Sequence, residues 1–165
     1  MNLRRALKHL AMPDWVVKRC FTASVVEGIE RAIQASEYLH RGEVRFVIEA
    51  GLPLSALLAD QTSRARAVEL FSVLRVWDTA ENSGVLIYVQ GFDRQVEIVA
   101  DRGVAAQVPQ RAWEVICRQM EACFRDGRYE AGAVGAIAAV GGLLARHFPA
   151  REDNPNELPD RPLVL

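Results

Sequence analysis

Apolar and polar positions along this chain change period several times, and each change predicts an element. Val85 to Val89 is an unbroken apolar run rich in β-branched side chains, which suits a central strand covered on both faces. Glu43 to Glu49 alternates, with Val44, Phe46 and Ile48 on one face and Arg45, Val47 and Glu49 on the other, so it too reads as a strand. Val96, Ile98 and Ala100 alternate with Glu97 and Val99 to give a third strand. The intervening Gln90 to Arg94 supplies the glycine and aspartate that a hairpin connection favours.

Helical spacing dominates elsewhere. Val25, Ile29, Ala32, Ser36 and Leu39 predict a first long helix, opened by a capping box of Ser24 and Glu27 and stopped by Gly42. Val68, Leu70, Phe71 and Leu74 give a second between Thr62 and Trp77. After Pro109, placed in a first turn, Trp113, Cys117, Met120 and Phe124 share one face of a third helix that ends at Asp126-Gly127. From Tyr129 to His147 the chain is apolar nearly all round, as in a buried helix. Gly132, Gly135, Gly141 and Gly142 each cost that helix about 1 kcal/mol against alanine, so close approach of another backbone is the reason expected for them.

The order of elements sets the topology. Strand, helix, strand implies a parallel pair, and the short connection at Gly91 returns the third strand antiparallel. The predicted fold is a single α/β domain, a mixed sheet sandwiched by helices, over residues 21–148. Residues 1–20, with Leu3, Leu7 and Leu10 at helical spacing, form an amphipathic extension. Residues 149–165 form a proline-rich tail, extended and either disordered or laid across the surface.

Composition narrows the class. With 165 residues, 50% of them apolar, the chain supports one sizeable core. Its 20 basic and 21 acidic residues leave a net charge of −1, which argues against nucleic acid or an anionic membrane as partner. Three cysteines, Cys20, Cys117 and Cys123, form no disulfide framework and fit a reducing, cytoplasmic setting; Cys117 and Cys123 read as small core residues. Charges interrupt every apolar run near the N-terminus, unlike a signal peptide. Ala131 to Ala145, bounded by Glu130 and Arg146, falls short of the roughly 20 residues a membrane span needs.

Chain direction places the candidate chemistry. Parallel strands at Val44 and Val85 and a returning strand at Gln95 bring Glu43, Asn82 and Asp101 to one rim of the sheet, with Asp78, Glu81 and Arg102 close by. Oxygen donors on loops are what Ca²⁺ or Mg²⁺ prefers, so Glu43, Asn82 and Asp101 are the candidate metal ligands; no organic cofactor is expected. The same carboxylates could instead pair with Arg45, Arg102 or backbone amides at strand ends. Asp93-Arg94 belongs to the opposite rim, beside Glu49, as a turn and salt-bridge element. Gly103 at positive φ would end the third strand.

No Walker loop, dinucleotide glycine fingerprint, HExxH helix or GxSxG elbow is present. No cysteine is followed by arginine at a cysteine-phosphatase spacing, and Arg146-His147 continues with Phe148 rather than the glycine of histidine phosphatases. His40 and His147 read as charges complementing helix C-termini. Trp15, Trp77 and Trp113 read as core or core-edge aromatics.

Together, the segment beginning near Phe21, Gly42-Glu43-Val44-Arg45, Leu70-Phe71, Thr79-Ala80-Glu81-Asn82-Ser83-Gly84-Val85-Leu86-Ile87, Asp93-Arg94, Asp101-Arg102-Gly103-Val104, Trp113, Phe124 and the glycine-rich last helix resemble the TPM-domain family, named for a thylakoid lumen protein, a photosystem II repair factor and a worm receptor modulator. The resemblance implies an α/β sandwich, divalent-cation binding as in some members, and acid phosphatase activity as reported for a plant member. Many relatives carry a signal peptide and a membrane helix, and neither is evident in this chain. Three readings follow: an accessory protein that binds a divalent cation weakly, a metal-assisted phosphatase acting on phosphomonoesters with Arg102 offsetting phosphate charge, and a non-catalytic module whose glycine-rich helix or tail meets a protein partner.

Overall fold

A computed structural model describes His9, Pro13 and residues 15–165; the helix expected around Leu3, Leu7 and Leu10 lies outside the described residues. In chain order the elements are α1 (Trp15–Cys20), α2 (Ala23–Glu37), β1 (Glu43–Glu49), α3 (Leu54–Leu58), α4 (Ser63–Val73), β2 (Gly84–Gln90), β3 (Gln95–Ala100), α5 (Arg102–Ala105), α6 (Gln110–Arg125), α7 (Tyr129–His147) and β4 (Leu163–Val164). The sheet runs β3-β2-β1-β4. β1 and β2 are parallel with Glu43 opposite Gly84, whereas β2 and β3 are antiparallel with Val85 opposite Ala100. The mixed sheet expected from the α4 crossover and the Gly91 hairpin is therefore present.

Period-two alternation divides the strand residues between two cores. Val44, Phe46, Ile48, Val85, Ile87, Val89 and Ile98 meet α2, α6 and α7 in the larger one. Val47, Leu86, Tyr88 and Val99 meet Ala67, Leu70 and Phe71 of α4 in the smaller. Each fully buried aliphatic or aromatic side chain here contributes roughly 1.5–3 kcal/mol of burial free energy. Trp113 is buried at 2% exposure, but Trp15 and Trp77 stand 55% and 48% exposed, so the expected aromatic core reduces to one tryptophan. Val68 also faces solvent, one position off the inward stripe of α4.

The α2 cap lies two residues before the expected box. Thr22, in extended backbone, accepts from the Val25 amide, whereas Ser24 is already inside the helix. Pro109 likewise takes the cap position of α6 rather than its first turn.

Residues 149–165 are laid on the domain. β4 adds to the free edge of β1 in parallel, Val47 opposite Leu163, and Leu158 and Leu163 pack against the smaller core. Arg45 reaches outward from β1 and donates to the carbonyls of Pro159 at 2.7 Å and Arg161 at 2.6 Å, which satisfies its buried guanidinium.

Candidate functional site

Three strand ends meet at the rim where β1 and β2 begin and β3 finishes. The Glu43 amide donates to the Ser83 carbonyl at 3.3 Å, and the Asp101 amide to the Gly84 carbonyl at 2.8 Å, so Glu43, Gly84 and Asp101 stand in one row across the strands. Residues 79–83 form a loop pinned from within: the Thr79 hydroxyl accepts from the Ser83 amide at 2.9 Å, and the Ser83 hydroxyl donates to the Arg41 carbonyl at 3.0 Å. Asn82 takes φ 53°, the left-handed region that asparagine tolerates better than most residues.

Asp101 occupies the turn from β3 into α5. Its Oδ1 caps that helix by accepting from the Arg102 amide at 2.7 Å. Its Oδ2 is buried and has no hydrogen-bond partner among the described residues, although the whole residue is only 8% exposed. A buried carboxylate oxygen left in that condition carries a desolvation cost of about 1–3 kcal/mol or more. Gly103 follows, and its role differs from the one expected: positive φ belongs to Asn82, and glycine is required at position 103 for close approach. A Cβ there would stand 2.6 Å from the Asn82 carbonyl oxygen and 2.8 Å from that of Glu81. The Gly103 amide donates to the same Asn82 oxygen at 3.1 Å. Arg102 Nε donates to Asn82 Oδ1 at 2.9 Å, and the Glu81 carboxylate meets Arg41 and, at 3.3 Å, Arg151.

The fold thus draws Asn82 and Asp101 together around Gly103 and occupies Glu43 differently. Gly84 separates Glu43 from Asp101 in the row, roughly 10 Å between their Cα positions at two inter-strand spacings. The Val76 carbonyl presses into the space a Gly84 side chain would fill. Glu43 is buried and its Oε2 accepts from the Leu158 amide of the tail at 3.0 Å. Burial raises its pKa to about 7, opposed by its hydrogen bonds to the Leu158 and Glu157 amides, with the charges of Glu157 and Asp160 adding to the rise. Glu37 lies alongside, accepts from the Val44 amide at 3.0 Å, and is raised further, to about 8, again mainly by burial. Among the described residues no group of three or more His, Cys, Asp or Glu side chains is arranged to hold a metal. The donors at the Asp101 corner are instead one carboxylate with amide and carbonyl oxygens, a set suited to a hard cation and too sparse for tight binding.

The opposite rim is a closed network. Arg66 grips the buried Glu49 carboxylate through Nε and Nη2, the latter at 2.6 Å from Oε1, and the Tyr88 hydroxyl donates to Oε2 at 2.6 Å. Asp93 meets His9 Nε2 at 3.0 Å, while His9 Nδ1 accepts from the Leu52 amide. His40 departs from the expected helix-end charge: it is fully buried, Nε2 bonded to the Ser36 hydroxyl and Nδ1 to the Gly42 carbonyl, and burial lowers its pKa, which keeps it neutral. Cys117 and Cys123 are partly exposed at the margin of the core, and burial pushes the Cys117 thiol up to about 12.

Comparison with known proteins places this geometry in context. The TPM domain model matches residues 18–143. No curated protein matches the chain. Among solved structures, the chain is similar to the BA42 protein of the psychrophilic bacterium Bizionia argentinensis, determined by NMR, at 28% identity and TM-score 0.75, over 87% of this chain and 94% of that one. It is also similar to the N-terminal domain of a protein from P. gingivalis, at 19% identity and TM-score 0.62, over 79% and 82% of the two chains, a likeness of fold alone. No helix among the described residues is long and apolar enough to cross a membrane.

Proposed function

Given that the chain belongs to the TPM domain family, we propose that it binds a divalent cation, Ca²⁺ or Mg²⁺, weakly at the Asp101 corner and acts in an accessory role. The observation that supports this reading is the buried Asp101 Oδ2 without a partner among the described residues, in the turn whose Gly103 packs against the carbonyl oxygens of Glu81 and Asn82. Asp101 supplies the charge and Asn82 the neighbouring amide and carbonyl oxygens. Glu43, two strands away across Gly84 and bonded to the Leu158 amide, stands outside this ligand set. With so few ligands, affinity falls near the weakest calcium modules, Kd about 10⁻⁴–10⁻³ M.

The test is thermal melting with Ca²⁺, Mg²⁺ and Mn²⁺ for the wild type, Asp101→Asn and Glu43→Gln. At a cation concentration about ten times Kd the expected stabilisation is about 1.4 kcal/mol. It is lost in Asp101→Asn, which keeps the capping oxygen, and retained in Glu43→Gln. An equal cation response in Asp101→Asn and wild type overturns the assignment.

A second reading, metal-assisted hydrolysis of phosphomonoesters, draws on Arg102. Its Nε bond to Asn82 Oδ1 fixes the guanidinium at the corner, where it can meet phosphate charge. A cation bound there supplies Lewis acidity and a more acidic bound water. Turnover of an aryl phosphate that disappears in both Asp101→Asn and Arg102→Ala supports hydrolysis; no turnover in the cation-loaded wild type eliminates it.

A further inference from the structure

A groove of about 720 Å³ runs between the turn leading into α6, the exposed side of α6 and the C-terminal part of α7. Its apolar floor includes Val108, Ala112, Val115 and Leu143. Arg111, Arg118 and Arg146 stand around it with His147, and among the described residues no acidic side chain lines it. Arg118 also meets Glu114, one turn before it on α6, at 4.0 Å.

The α7 wall adds an independent observation. Ala133, Ile137, Val140 and Leu144 face the core. Gly132 and Gly141 flank that stripe, where a Cβ would strike Cys123 on one side and Ser36 on the other. Gly135 and Gly142 point the opposite way, and a Cβ on either would meet nothing within 4 Å among the described residues. Each costs the helix about 1 kcal/mol relative to alanine, and no contact among the described residues requires it. Together with exposed Ala131 and Ala138 they make a ridge of glycine and alanine that runs toward the groove at Leu143 and Arg146.

We propose that this groove is the docking site for an acidic amphipathic helix of a partner protein. Cations around an apolar floor complement acidic side chains flanking an apolar stripe. The glycine ridge admits a second helix axis near the lower end of the usual 8–10 Å separation. A second copy of this chain through the same face would set arginines against arginines, and a bilayer would meet the ridge but not enter a concave groove.

The experiment uses the full chain carrying a benzophenone photo-crosslinker at Val115, expressed in the cells it comes from, with the linked peptide sequenced. The expected adduct is a segment with apolar residues at i, i+3, i+4 and i+7 and Asp or Glu beside them. Its yield should fall by at least about tenfold in Arg111→Glu/Arg146→Glu. Both positions are exposed, so the variant should lose no more than about 1 kcal/mol, from the reversed charge at the α7 C-terminus, and its cooperative melting serves as the folding control. Adducts only with this chain or without the acidic helical pattern, insensitivity to the charge reversals, cosedimentation with phosphatidylglycerol-rich vesicles in place of protein adducts, or no adduct would each overturn the proposal. Asp101→Asn should leave the adduct intact, which separates this outcome from that of the cation site.

Discussion

The amide of Gly103 donates to the carbonyl of Asn82 at 3.1 Å, which holds the turn after β3 against the loop before β2 with no space for a side chain between them. The atoms that a Cβ would strike belong to the backbone and cannot swing aside as a side chain would. Gly103→Ala is expected to destabilise the protein by about 1–3 kcal/mol and to remove the melting shift with Ca²⁺. Urea unfolding of the variant checks the first effect, and melting with and without cation checks the second.

Glu37 and Glu43 make stability depend on pH in an unusual direction. Their carboxyls are held at about 8 and about 7, against an ordinary 4.5, mainly by burial beneath the tail, with Asp160 facing both and Glu157 facing Glu43. The folded chain therefore binds more protons than the unfolded chain between pH 4.5 and these values. Their contribution is fully present below pH 4.5 and is lost as pH rises through 7 and 8. Urea midpoints measured from pH 5 to 9 should fall with rising pH, and Glu37→Gln should flatten the decline. A midpoint rising above pH 6.5, where His40 no longer titrates, would contradict the burial of these groups.

His40 acts in the opposite sense. Its pKa is lowered by burial, so the unfolded chain binds the proton first, and stability falls as pH drops below the ordinary value of 6.5. NMR titration of the ring should give a midpoint below the ordinary value of 6.5. Gly141 leaves room for the Ser36 hydroxyl that bonds it, so Gly141→Ala is expected to lower the melting temperature more than Gly142→Ala does.

Removing residues 157–165 takes the two carbonyl acceptors from Arg45, the Leu158 amide from Glu43 and two leucines from the smaller core. The expected loss is about 2–4 kcal/mol, with self-association through the bared edge of β1. Urea unfolding and light scattering measure the two effects. Unaltered stability would mean that the tail merely rests on the sheet.

Local rules carried the strands because β1 and β2 are buried on both faces, and an apolar run such as Val85 to Val89 has few other uses. They also brought Asp101 and Asn82 to the same rim, since parallel and returning strands leave little choice. What they missed depends on contacts distant in sequence. His40 resembles a helix-end charge until α7 closes over it. Gly103 resembles a positive-φ glycine until the loop at Asn82 is packed against it. The four glycines of α7 are alike in sequence, yet wheel angle assigns Gly132 and Gly141 to neighbouring helices and Gly135 and Gly142 to solvent. The bond from the tail to Glu43 and the burial of Glu37 had no local signal, because carboxylates at a helix end or a strand start look the same whether covered or open.

The Val76 carbonyl seated over Gly84 ties the loop preceding β2 to the first residue of an inner strand rather than to an edge strand. Ser83 and Asp101 amides, bonded to Thr79 and Gly84 across that stitch, should exchange with deuterium only when the entire domain opens. Occupancy at the Asp101 corner would then register as slower exchange throughout the interior, as well as at the residues touching the ion.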